Sequence, residues 1–400
     1  MTEANHQLRV YEDITQLIPN PDNPTPLVKI NKLNHSETFQ LYLKLERYNP
    51  FGSIKDRIAY EMLNGLQVSN TQTIIEPSSG NTGIGLVCLA NVRGIPIEIA
   101  VPDKVPEEKK ALLKFLGAKV LEADDQLCPL FPSEGARGLV KALVDSPDTK
   151  GTYVSPNQYE NVLNVQAHYK TTGPEIWKQT QGKINYFFAG LGTCGTITGV
   201  GKFLKEQNRE IKIIAVEPSS QNHKLPGLKR ITGLAEDLIP KILDKSLIDA
   251  IVPVSDEEAY TTTFQLAKQE GIPVGPTTGA IVFAALQFAK NNGGLAVAIS
   301  PDDAFKYTSF FKQYFEKENQ QPLQKEYDLS GLLCPASKIE ASRILNDLEH
   351  KNNVRLIIGN VDSLKSIIKD IKSRGLKSSF QKEGDDRFVL TVSETVSSNQ

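Results

Sequence analysis

Several features that often identify the class of a protein are missing from this sequence. The 400 residues include only four cysteines, which lie far apart and show neither CxxC nor His-rich spacing: Cys88, Cys128, Cys194 and Cys334. This spacing argues against a zinc site and against a disulfide framework, and it fits the reducing cytoplasm. The formal charge of −2 gives no electrostatic reason to expect nucleic acid or an anionic membrane as a partner.

Long apolar runs and internal repeats are also missing. No stretch approaches the length of a membrane-spanning helix, and Met1 to His6 lack the basic segment and apolar core of a signal peptide. A chain of 400 residues is too long for one compact core. The sequence therefore predicts two or three domains and no membrane segment.

From Leu41 onward, short apolar strands alternate with amphipathic helices. This alternation predicts an α/β fold with mainly parallel sheets and ligands at the carboxyl ends of the strands. The predicted strands are Leu41 to Leu45, Thr73 to Glu76, Ile97 to Val101 and Lys119 to Glu122. The predicted helices include Gly83 to Asn91, Pro106 to Leu116, Thr196 to Glu206 and Ile281 to Lys290.

Lys55 lies at the predicted start of a helix, three residues after the turn-forming Gly52. Ser53 and Asp56 have the spacing of a capping box. The macrodipole disfavours a cation in the first turn of a helix, and a neutral amine or an imine escapes that penalty. A surface lysine paired with Asp56 is the ordinary alternative.

Two further loops have the composition of anion sites at helix starts. Glu76 to Gly85 contains the end of a predicted strand, a loop of Ser and Gly residues, and the start of a helix. Tyr186 to Gly201 has the same sequence of strand, loop and helix, and its loop contains more glycine. The glycines of the second loop, Gly190, Gly192 and Gly195, also meet the GxGxxG spacing of a dinucleotide site. Glu217 stands where a ribose-binding acid is expected. The mid-chain position of the strand argues against that alternative.

The segment from Asn49 to Arg57, Asn-Pro-Phe-Gly-Ser-Ile-Lys-Asp-Arg, closely resembles the Schiff-base lysine segment of the cysteine synthase and cystathionine β-synthase family. The resemblance implies pyridoxal 5′-phosphate (PLP) on fold type II, which has two α/β subdomains. It also implies that Lys55 forms an imine with PLP and then acts as general base. No metal is expected.

The resemblance extends to the other loops and implies a role for each. Ser78, Ser79, Gly80 and Thr82 would hold the substrate carboxylate, Gln158 would lie at the substrate pocket, and Asn81 would bind the phenolic oxygen of PLP. The PLP phosphate would lie among Gly192, Thr193, Cys194, Gly195 and Thr196, and Thr277 would face the pyridine nitrogen. Cys194 replaces the usual glycine or threonine, and His168 is interpreted as structural.

Two segments depart from the family pattern. Pro301 to Tyr307 resembles the closing P-D-S-G-x-R-Y but lacks its glycine and arginine. In Lys229 to Pro240, Ala235, Glu236 and Asp237 replace small glycines of the family segment. Basic residues cluster around its start: His223, Lys224, Lys229 and Arg230. A phosphate clamp through Arg230 is one hypothesis, and a solvated basic loop is the other.

The C-terminal part has a pattern of its own. Its predicted βαβαββ order indicates a small two-layer α/β sandwich, and Asp328 to Pro335 resembles the D-L-x-G-L-x-C-P signature of the TusA/SirA sulfur carriers. That resemblance implies a persulfide on Cys334, at a helix start that favours thiolate. A regulatory or structural domain is the alternative. The predicted boundaries are 1–318 (with a mobile subdomain at roughly 47–165), a linker at 319–326 and the carrier at 327–395.

Together these resemblances predict a cysteine synthase. An activated serine, O-acetylserine or O-phosphoserine, would lose its β-substituent to give α-aminoacrylate, to which sulfide or sulfur from Cys334 adds. The alternatives are cystathionine formation, serine/threonine deamination, or a non-catalytic sulfur-relay module. A homodimer is implied, and a serine acetyltransferase or a sulfurtransferase is the candidate partner.

Overall fold

The structure, a computed structural model, describes residues 10–78, 80–103, 105–124, 134–309, 311–312, 325–346, 354–382 and 387–393. The chain divides into two compact units, Met1–Tyr307 and Thr308–Gln400, and each is described by itself. None of the helices within the described ranges is both long and apolar enough to cross a membrane.

The first unit contains two sheets whose strands are joined mainly through helices. Its strands are β1 Leu27–Lys29, β2 Phe39–Leu45, β3 Thr73–Pro77, β4 Ile97–Pro102, β5 Lys119–Ala123, β6 Tyr153–Val154, β7 Ile184–Gly190, β8 Lys212–Pro218, β9 Ala250–Val254 and β10 Gly294–Ser300. Its α-helices are α1 Lys55–Gly65, α2 Asn81–Val92, α3 Glu107–Phe115, α4 Gly135–Asp145, α5 Val162–Ala167, α6 Gly173–Gln179, α7 Gly195–Gln207, α8 Asp256–Gln265 and α9 Pro276–Ala289.

The larger sheet has the strand order β1-β2-β10-β7-β8-β9, and the smaller one has the order β5-β4-β3-β6. All neighbouring strands are parallel except β1, which pairs with β2 in antiparallel register. Central strands such as β10 are apolar and largely buried because helices cover a parallel sheet on both faces. The predicted α/β fold with mainly parallel sheets is confirmed.

Two local predictions are wrong. Helix α9 begins at Pro276 rather than at Ile281, because Gly275 occupies the N-cap and proline is preorganised for the first helical position. Ser53 and Asp56 do not form a capping box, since Ile54 is the N-cap of α1 and makes no side-chain cap. The Asp56 carboxylate instead accepts a hydrogen bond from the backbone N–H of Phe51 at 2.6 Å, which closes the preceding turn.

Four charged side chains with almost no solvent exposure form a cluster beneath α1: Lys44, Glu46, Arg57 and Glu175. The Arg57 guanidinium donates to both carboxylate oxygens of Glu46, at 2.7 and 3.0 Å. It also donates to both carboxylate oxygens of Glu175, through Nη1 to Oε1 and through Nη2 to Oε2 at 2.9 Å. Lys44 Nζ donates to Glu175 at 2.6 Å. Burial by itself opposes ionisation of Glu46, but Arg57 lowers the pKa of this carboxyl to about 2. We call these four residues the buried ion cluster.

Replacing Arg57 with methionine should destabilise the first unit by about 3–5 kcal/mol, because two buried carboxylates lose their main counterion. The matched control is Lys178→Met, since Lys178 forms an exposed pair with Asp22 at 3.2 Å. That change should cost less than about 1 kcal/mol. The free energy of unfolding, measured in denaturant, checks both values. Equal costs for the two variants would contradict a structural role for the cluster.

The second unit is a four-stranded sheet with two helices. Its elements are β11 Lys325–Leu329, α10 Ala336–Asn346, β12 Val354–Ile358, α11 Val361–Ser373, β13 Lys377–Lys382 and β14 Phe388–Ser393. The sheet order is β11-β12-β14-β13, with β11 and β12 parallel and the other pairs antiparallel. Strands and helices share one apolar core, which includes Ile344, Leu356, Ile367 and Leu390. The predicted βαβαββ order is therefore present.

The boundaries between domains stay predictions. Most of the proposed linker at 319–326 lies outside the described residues, as does Cys128. The last two positions of the proposed linker, 325 and 326, belong to β11.

Candidate active site

The parallel register brings the ends of β2, β7, β8 and β10 to one edge of the larger sheet. The loop after β2 leads to Lys55, the loop after β7 contains the glycines, and Asp302 follows β10. The backbone N–H of Ile54 donates to Pro301 O at 2.8 Å, which ties the lysine turn to the chain after β10. This edge is where parallel α/β sheets bind ligands.

Lys55 is the first residue of α1 and is partly buried. Burial lowers the pKa of its ammonium group, although electrostatic attraction to Asp302 and Cys194 acts in the opposite direction. A lowered pKa leaves more of the amine neutral near pH 7, as imine chemistry and proton abstraction both require. The same interactions show that Lys55 lies near both the glycine loop and Asp302.

The loop before α7 has the properties of a phosphate site. The first N–H groups of a helix have no acceptor within the helix, and they face an anion favourably. A side chain at Gly192 would approach Gly227 O to 2.4 Å, and one at Gly195 would approach Asn164 Oδ1 to 1.9 Å. Glycine is thus required at both positions. Cys194, the N-cap, has a φ of 71°, a left-handed conformation that costs a non-glycine residue about 1–2 kcal/mol. Burial raises the pKa of its thiol to about 12.

Asn164 supports this loop from below. Its Nδ2 donates to Gln158 O at 2.7 Å and to Thr193 Oγ1 at 3.2 Å, so it joins the predicted substrate segment to the phosphate loop. Within the described part of the chain, no hydrogen-bond donor reaches its buried Oδ1.

His168 supports the same loop from the side. It is fully buried in a π-helical turn, His168–Thr172, between α5 and α6. Nδ1 lies 2.9 Å from Thr172 Oγ1, and Nε2 lies 3.1 Å from Thr196 Oγ1. If Nε2–H donates to Thr196, the threonine hydroxyl hydrogen remains available for an anion. Burial, together with Lys55 and Arg57, lowers the pKa of His168 to about 3.

The predicted substrate residues Thr82 and Gln158 contact each other, with Thr82 Oγ1 donating to Gln158 Oε1 at 2.7 Å. Glu76 holds the Gln158 segment in place. Its carboxylate accepts hydrogen bonds from the backbone N–H groups of Asn157 at 2.9 Å and Gln158 at 3.1 Å, and from the Ser155 hydroxyl at 3.1 Å. Burial raises the pKa of Glu76 to about 7.

The other residues of the predicted carboxylate loop are only partly described. Ser78 Oγ accepts a hydrogen bond from the N–H of Gly83 at 2.9 Å, and its own backbone N–H donates to Ala100 O at 3.0 Å. Only its hydroxyl hydrogen is therefore left for a substrate. Gly80 is the N-cap of α2, and Ser79 lies outside the described residues.

Asn81, the first residue of α2, lies between two charged side chains. Its Nδ2 donates to Asp302 Oδ2 at 2.6 Å, and its Oδ1 accepts from Lys306 Nζ at 3.1 Å. Lys306 also donates to Phe51 O at 3.1 Å, so it binds the turn that precedes Lys55.

Thr277 lies in the first turn of α9 and is buried. Its hydroxyl donates to Pro226 O at 2.6 Å, which leaves only its lone pairs for a ligand.

Two alternatives from the sequence find little support in the geometry. Glu217 Oε2 accepts hydrogen bonds from the backbone N–H groups of Ile231 at 2.8 Å and Thr232 at 3.0 Å, so this carboxylate holds a loop instead of facing a ribose. Arg230 Nη1 donates to the backbone carbonyls of Pro218 and Ser219. The phosphate clamp through Arg230 stays a hypothesis.

Residues 18–302 match the family of pyridoxal-phosphate dependent enzymes, and this range covers most of the chain. The chain belongs to that family.

This PLP-dependent enzyme is similar to a cysteine synthase from Aquifex aeolicus, with 39% identity over 75% of this chain and 91% of that relative. It is also 37% identical to a cystathionine beta-synthase from Apis mellifera, over 78% of this chain and 66% of that relative. Among solved structures, a cysteine synthase from Entamoeba histolytica gives a TM-score of 0.68 at 30% identity, covering 75% of this chain and 90% of that one. The predicted fold type II is confirmed by this likeness.

The site of this PLP-dependent enzyme fits its cofactor. The first N–H groups of α7 have no acceptor within the helix and can bind a phosphate. Gly192 and Gly195 have no room for a Cβ, so the backbone can approach a phosphate closely there. Lys55 supplies an amine of lowered pKa beside that loop. In the described part of the chain, no group of three or more His, Cys, Asp or Glu residues could hold a metal ion.

Sequence reasoning missed several polar residues that support the site, namely Glu76, Asn164, Asp302 and Lys306, and it gave His168 a structural role only. A signal existed for Glu76 and Asp302, because each lies at or just beyond the end of a buried parallel strand. No comparable signal marks Asn164, which lies within a short helix.

Cys334, the remaining predicted residue, belongs to the second unit. It is exposed and lies just before α10, where the N–H of Ser337 donates to Leu333 O at 3.1 Å. Leu332 packs against the core of this unit, whereas Leu333 is 74% exposed.

Replacing His168 with glutamine should give a destabilisation that depends on pH. The unfolded chain binds a proton at His168 near pH 6.5, but the folded protein does so only near pH 3. The stability contributed by neutral His168 is therefore present above pH 6.5 and is lost as the pH falls toward 3. The destabilisation by His168→Gln should shrink by up to about 1.4 kcal/mol per pH unit below pH 6.

Denaturant unfolding of both proteins over that pH range checks this value. The control is His35→Gln, because His35 is exposed and its replacement should change stability by less than about 0.5 kcal/mol. A constant difference between wild type and His168→Gln would contradict the buried, neutral imidazole.

Proposed function

We propose that the first unit is a cysteine synthase, which replaces the β-substituent of an activated serine with a sulfur nucleophile. The observation that carries this proposal is the position of Lys55, an amine of lowered pKa beside a phosphate-type loop. The similarity to a cysteine synthase over 91% of that relative's length supports the same reaction.

When bound, PLP supplies an electron-withdrawing ring that eases loss of the Cα proton and of the β-substituent. Lys55 Nζ holds the cofactor and then takes the Cα proton of the substrate, for which its lowered pKa makes it suitable. The PLP phosphate would be held by Gly192, Thr193, Cys194, Gly195 and Thr196, and Thr277 would lie at the pyridine nitrogen.

The substrate carboxylate binds at the start of α2. Asn81 and Thr82 occupy the first two helical positions, where backbone N–H groups have no acceptor within the helix. Ser78 contributes its hydroxyl hydrogen, and Gln158 closes the pocket through its contact with Thr82. Gly80 and Ser79, which lies outside the described residues, are assigned to the same carboxylate by family resemblance. Orientation of the carboxylate sets the position of the Cα proton relative to Lys55.

O-acetylserine is the preferred substrate in this proposal, and O-phosphoserine is the second candidate. Arg230, the side chain suggested for a phosphate, already donates to two backbone carbonyls, which favours the uncharged acetyl group. Cystathionine formation is the second candidate reaction, because the relative from Apis mellifera matches at similar identity. Product analysis with sulfide and with homocysteine separates the two reactions.

Lys55→Ala should lower kcat/KM for cysteine formation from O-acetylserine and sulfide by at least about 10²-fold, since a positioned acid–base contributes about 10²–10⁴-fold. Borohydride treatment of the wild-type protein should fix the cofactor to the peptide that contains Lys55. The control is Lys178→Ala, which changes an exposed lysine. This variant should keep the wild-type kcat/KM and the borohydride labelling of the Lys55 peptide. A Lys55→Ala enzyme with near wild-type kcat/KM would refute the proposal.

For the second unit, we propose a TusA-like sulfur carrier in which Cys334 bears the sulfur. Exposure of this free cysteine supports the proposal, because a thiol that solvent and partner thiols can reach is able to exchange sulfur. By family resemblance we also propose a cytoplasmic homodimer, with a serine acetyltransferase or a sulfurtransferase as partner.

Delivery from Cys334 requires electrons as well as sulfur. The terminal persulfide sulfur would attack Cβ of the unsaturated substrate that remains after acetate has left, and Cα would take up a proton. The new C–S bond would give a disulfide between Cys334 and the product cysteine. A thiol reductant then supplies two electrons, breaks this disulfide and releases cysteine and the Cys334 thiol. Without the reductant, the reaction stops at the disulfide.

The protein loaded with isotopically heavy persulfide and given O-acetylserine without reductant should therefore carry a heavy cysteinyl disulfide on the Cys334 peptide. Mass spectrometry detects it. Cys334→Ser should abolish this adduct yet keep activity with free sulfide within about twofold, because Cys334 lies outside the first unit. Wild-type turnover of the variant under persulfide supply would assign the second unit a regulatory or structural role.

A further inference from the structure

The amide of Asn81 is held at both ends by charged side chains from the chain after β10. Asp302 Oδ2 accepts from Nδ2 at 2.6 Å, and Lys306 Nζ donates to Oδ1 at 3.1 Å. Asn81 follows the smaller sheet and Asp302 follows the larger one, 221 residues later in the sequence. These two contacts therefore cross from one sheet of the first unit to the other.

The chemistry of the two partners permits only one orientation of the amide. A lysine ammonium group can only donate hydrogen bonds, so it must face the amide oxygen. Asp302 Oδ2 already accepts a hydrogen bond from Tyr307 OH, so as an acceptor it must face the amide nitrogen. A flipped amide would lose both hydrogen bonds, because its nitrogen would face the Lys306 ammonium group and its oxygen would face the Asp302 carboxylate. The Nδ2 group has two hydrogens, and Asp302 uses one of them.

Asp302 is itself fixed in place. It is 2% exposed, and Tyr307 OH donates to the same Oδ2 at 2.6 Å. Ile54 N–H binds the carbonyl of the preceding Pro301, so Asp302 is anchored to the turn that carries Lys55. A Cβ on Gly275 would lie 2.4 Å from Asp302 Oδ1, which shows that the carboxylate packs directly against the N-cap of α9. Its position thus depends on three elements of the site.

We propose that Asp302 and Lys306 are positioning residues that orient the Asn81 amide, so that its second Nδ2 hydrogen is presented to the cofactor oxygen. This inference rests on the proposed role of Asn81 at PLP and goes beyond it, since it assigns the orientation to two residues that do not carry out the chemistry. Lys306 also links this orientation to the Lys55 turn through Phe51 O.

The test uses PLP itself, added to cofactor-free protein, with the dissociation constant and the visible absorption band as readouts. Asn81→Ala provides the reference change in both. Asp302→Ala should weaken PLP binding roughly fivefold to tenfold, the size of one lost hydrogen bond, and should shift the band in the same direction as Asn81→Ala. Asp302→Asn should keep both values within about twofold of wild type, because its amide oxygen still accepts from Asn81.

Asp303→Ala is the matched control, since the neighbouring carboxylate caps the N–H of Phe305 at 2.9 Å and does not contact Asn81 in the described structure. If Asp302→Ala does not fold, Lys306→Met replaces it, with Lys306→Arg as the rescue, because Lys306 holds the other end of the amide. The same weakening and band shift are expected for Lys306→Met.

Suppose that Asn81→Ala changes PLP binding and absorption. The inference would then be overturned if folded Asp302→Ala, or Lys306→Met in its place, bound PLP and absorbed light as the wild type does. Unchanged values in Asn81→Ala would instead refute the role of Asn81 at the cofactor, and the inference with it. An Asp302→Asn protein that behaves like Asp302→Ala would show that charge, rather than orientation, is what Asp302 supplies, and would also overturn the proposal.

Discussion

The candidate site depends on the buried ion cluster. Arg57 follows Lys55 by two residues on α1, and its guanidinium binds Glu46, just after β2, and Glu175, on α6. These bonds fix the helix that carries the lysine relative to the larger sheet and to α6. The His168–Thr172 turn leads directly into α6, so the same cluster also sets the position of the histidine that contacts the phosphate loop. Charges are costly to bury, and here two bidentate pairings and a lysine offset that cost.

The residues predicted to contact the ligand are held in place by a second set of polar side chains, which have no predicted contact with the ligand. Asn164 joins the phosphate loop to the Gln158 segment, and Glu76 joins that segment to β3. Thr82, Thr193 and Thr196 thus each have a hydrogen-bonded neighbour that limits their rotation. Reactions that need a near-attack geometry benefit from such a rigid arrangement, because small displacements of a catalytic group cost large factors in rate.

Local features of the site could be predicted, whereas its long-range contacts could not. The strand–glycine–helix pattern around Gly192 and Gly195 predicts an anion site within a dozen residues, and the structure has the strand, the loop and the helix in that order. Asn81 and Asp302 are 221 residues apart, and neither residue type by itself indicates the other as a partner. The start of α9 was misplaced because the helix was begun at Ile281, although proline at position 276 is suited to a first helical position. Packing decides between such interpretations, and packing is not visible in a local pattern.

The buried thiol of Cys194 differs from an exposed cysteine in how readily it reacts with sulfur compounds. A thiol with a pKa of about 12 is ionised, at pH 7, in only about one molecule in 10⁵, and thiolate is the form that attacks disulfides, persulfides and peroxides. An enzyme proposed to handle reactive sulfur thus carries a cysteine in its phosphate loop that is nearly inert toward its own reagents. The burial of this side chain thus keeps the loop from becoming a competing sulfur acceptor.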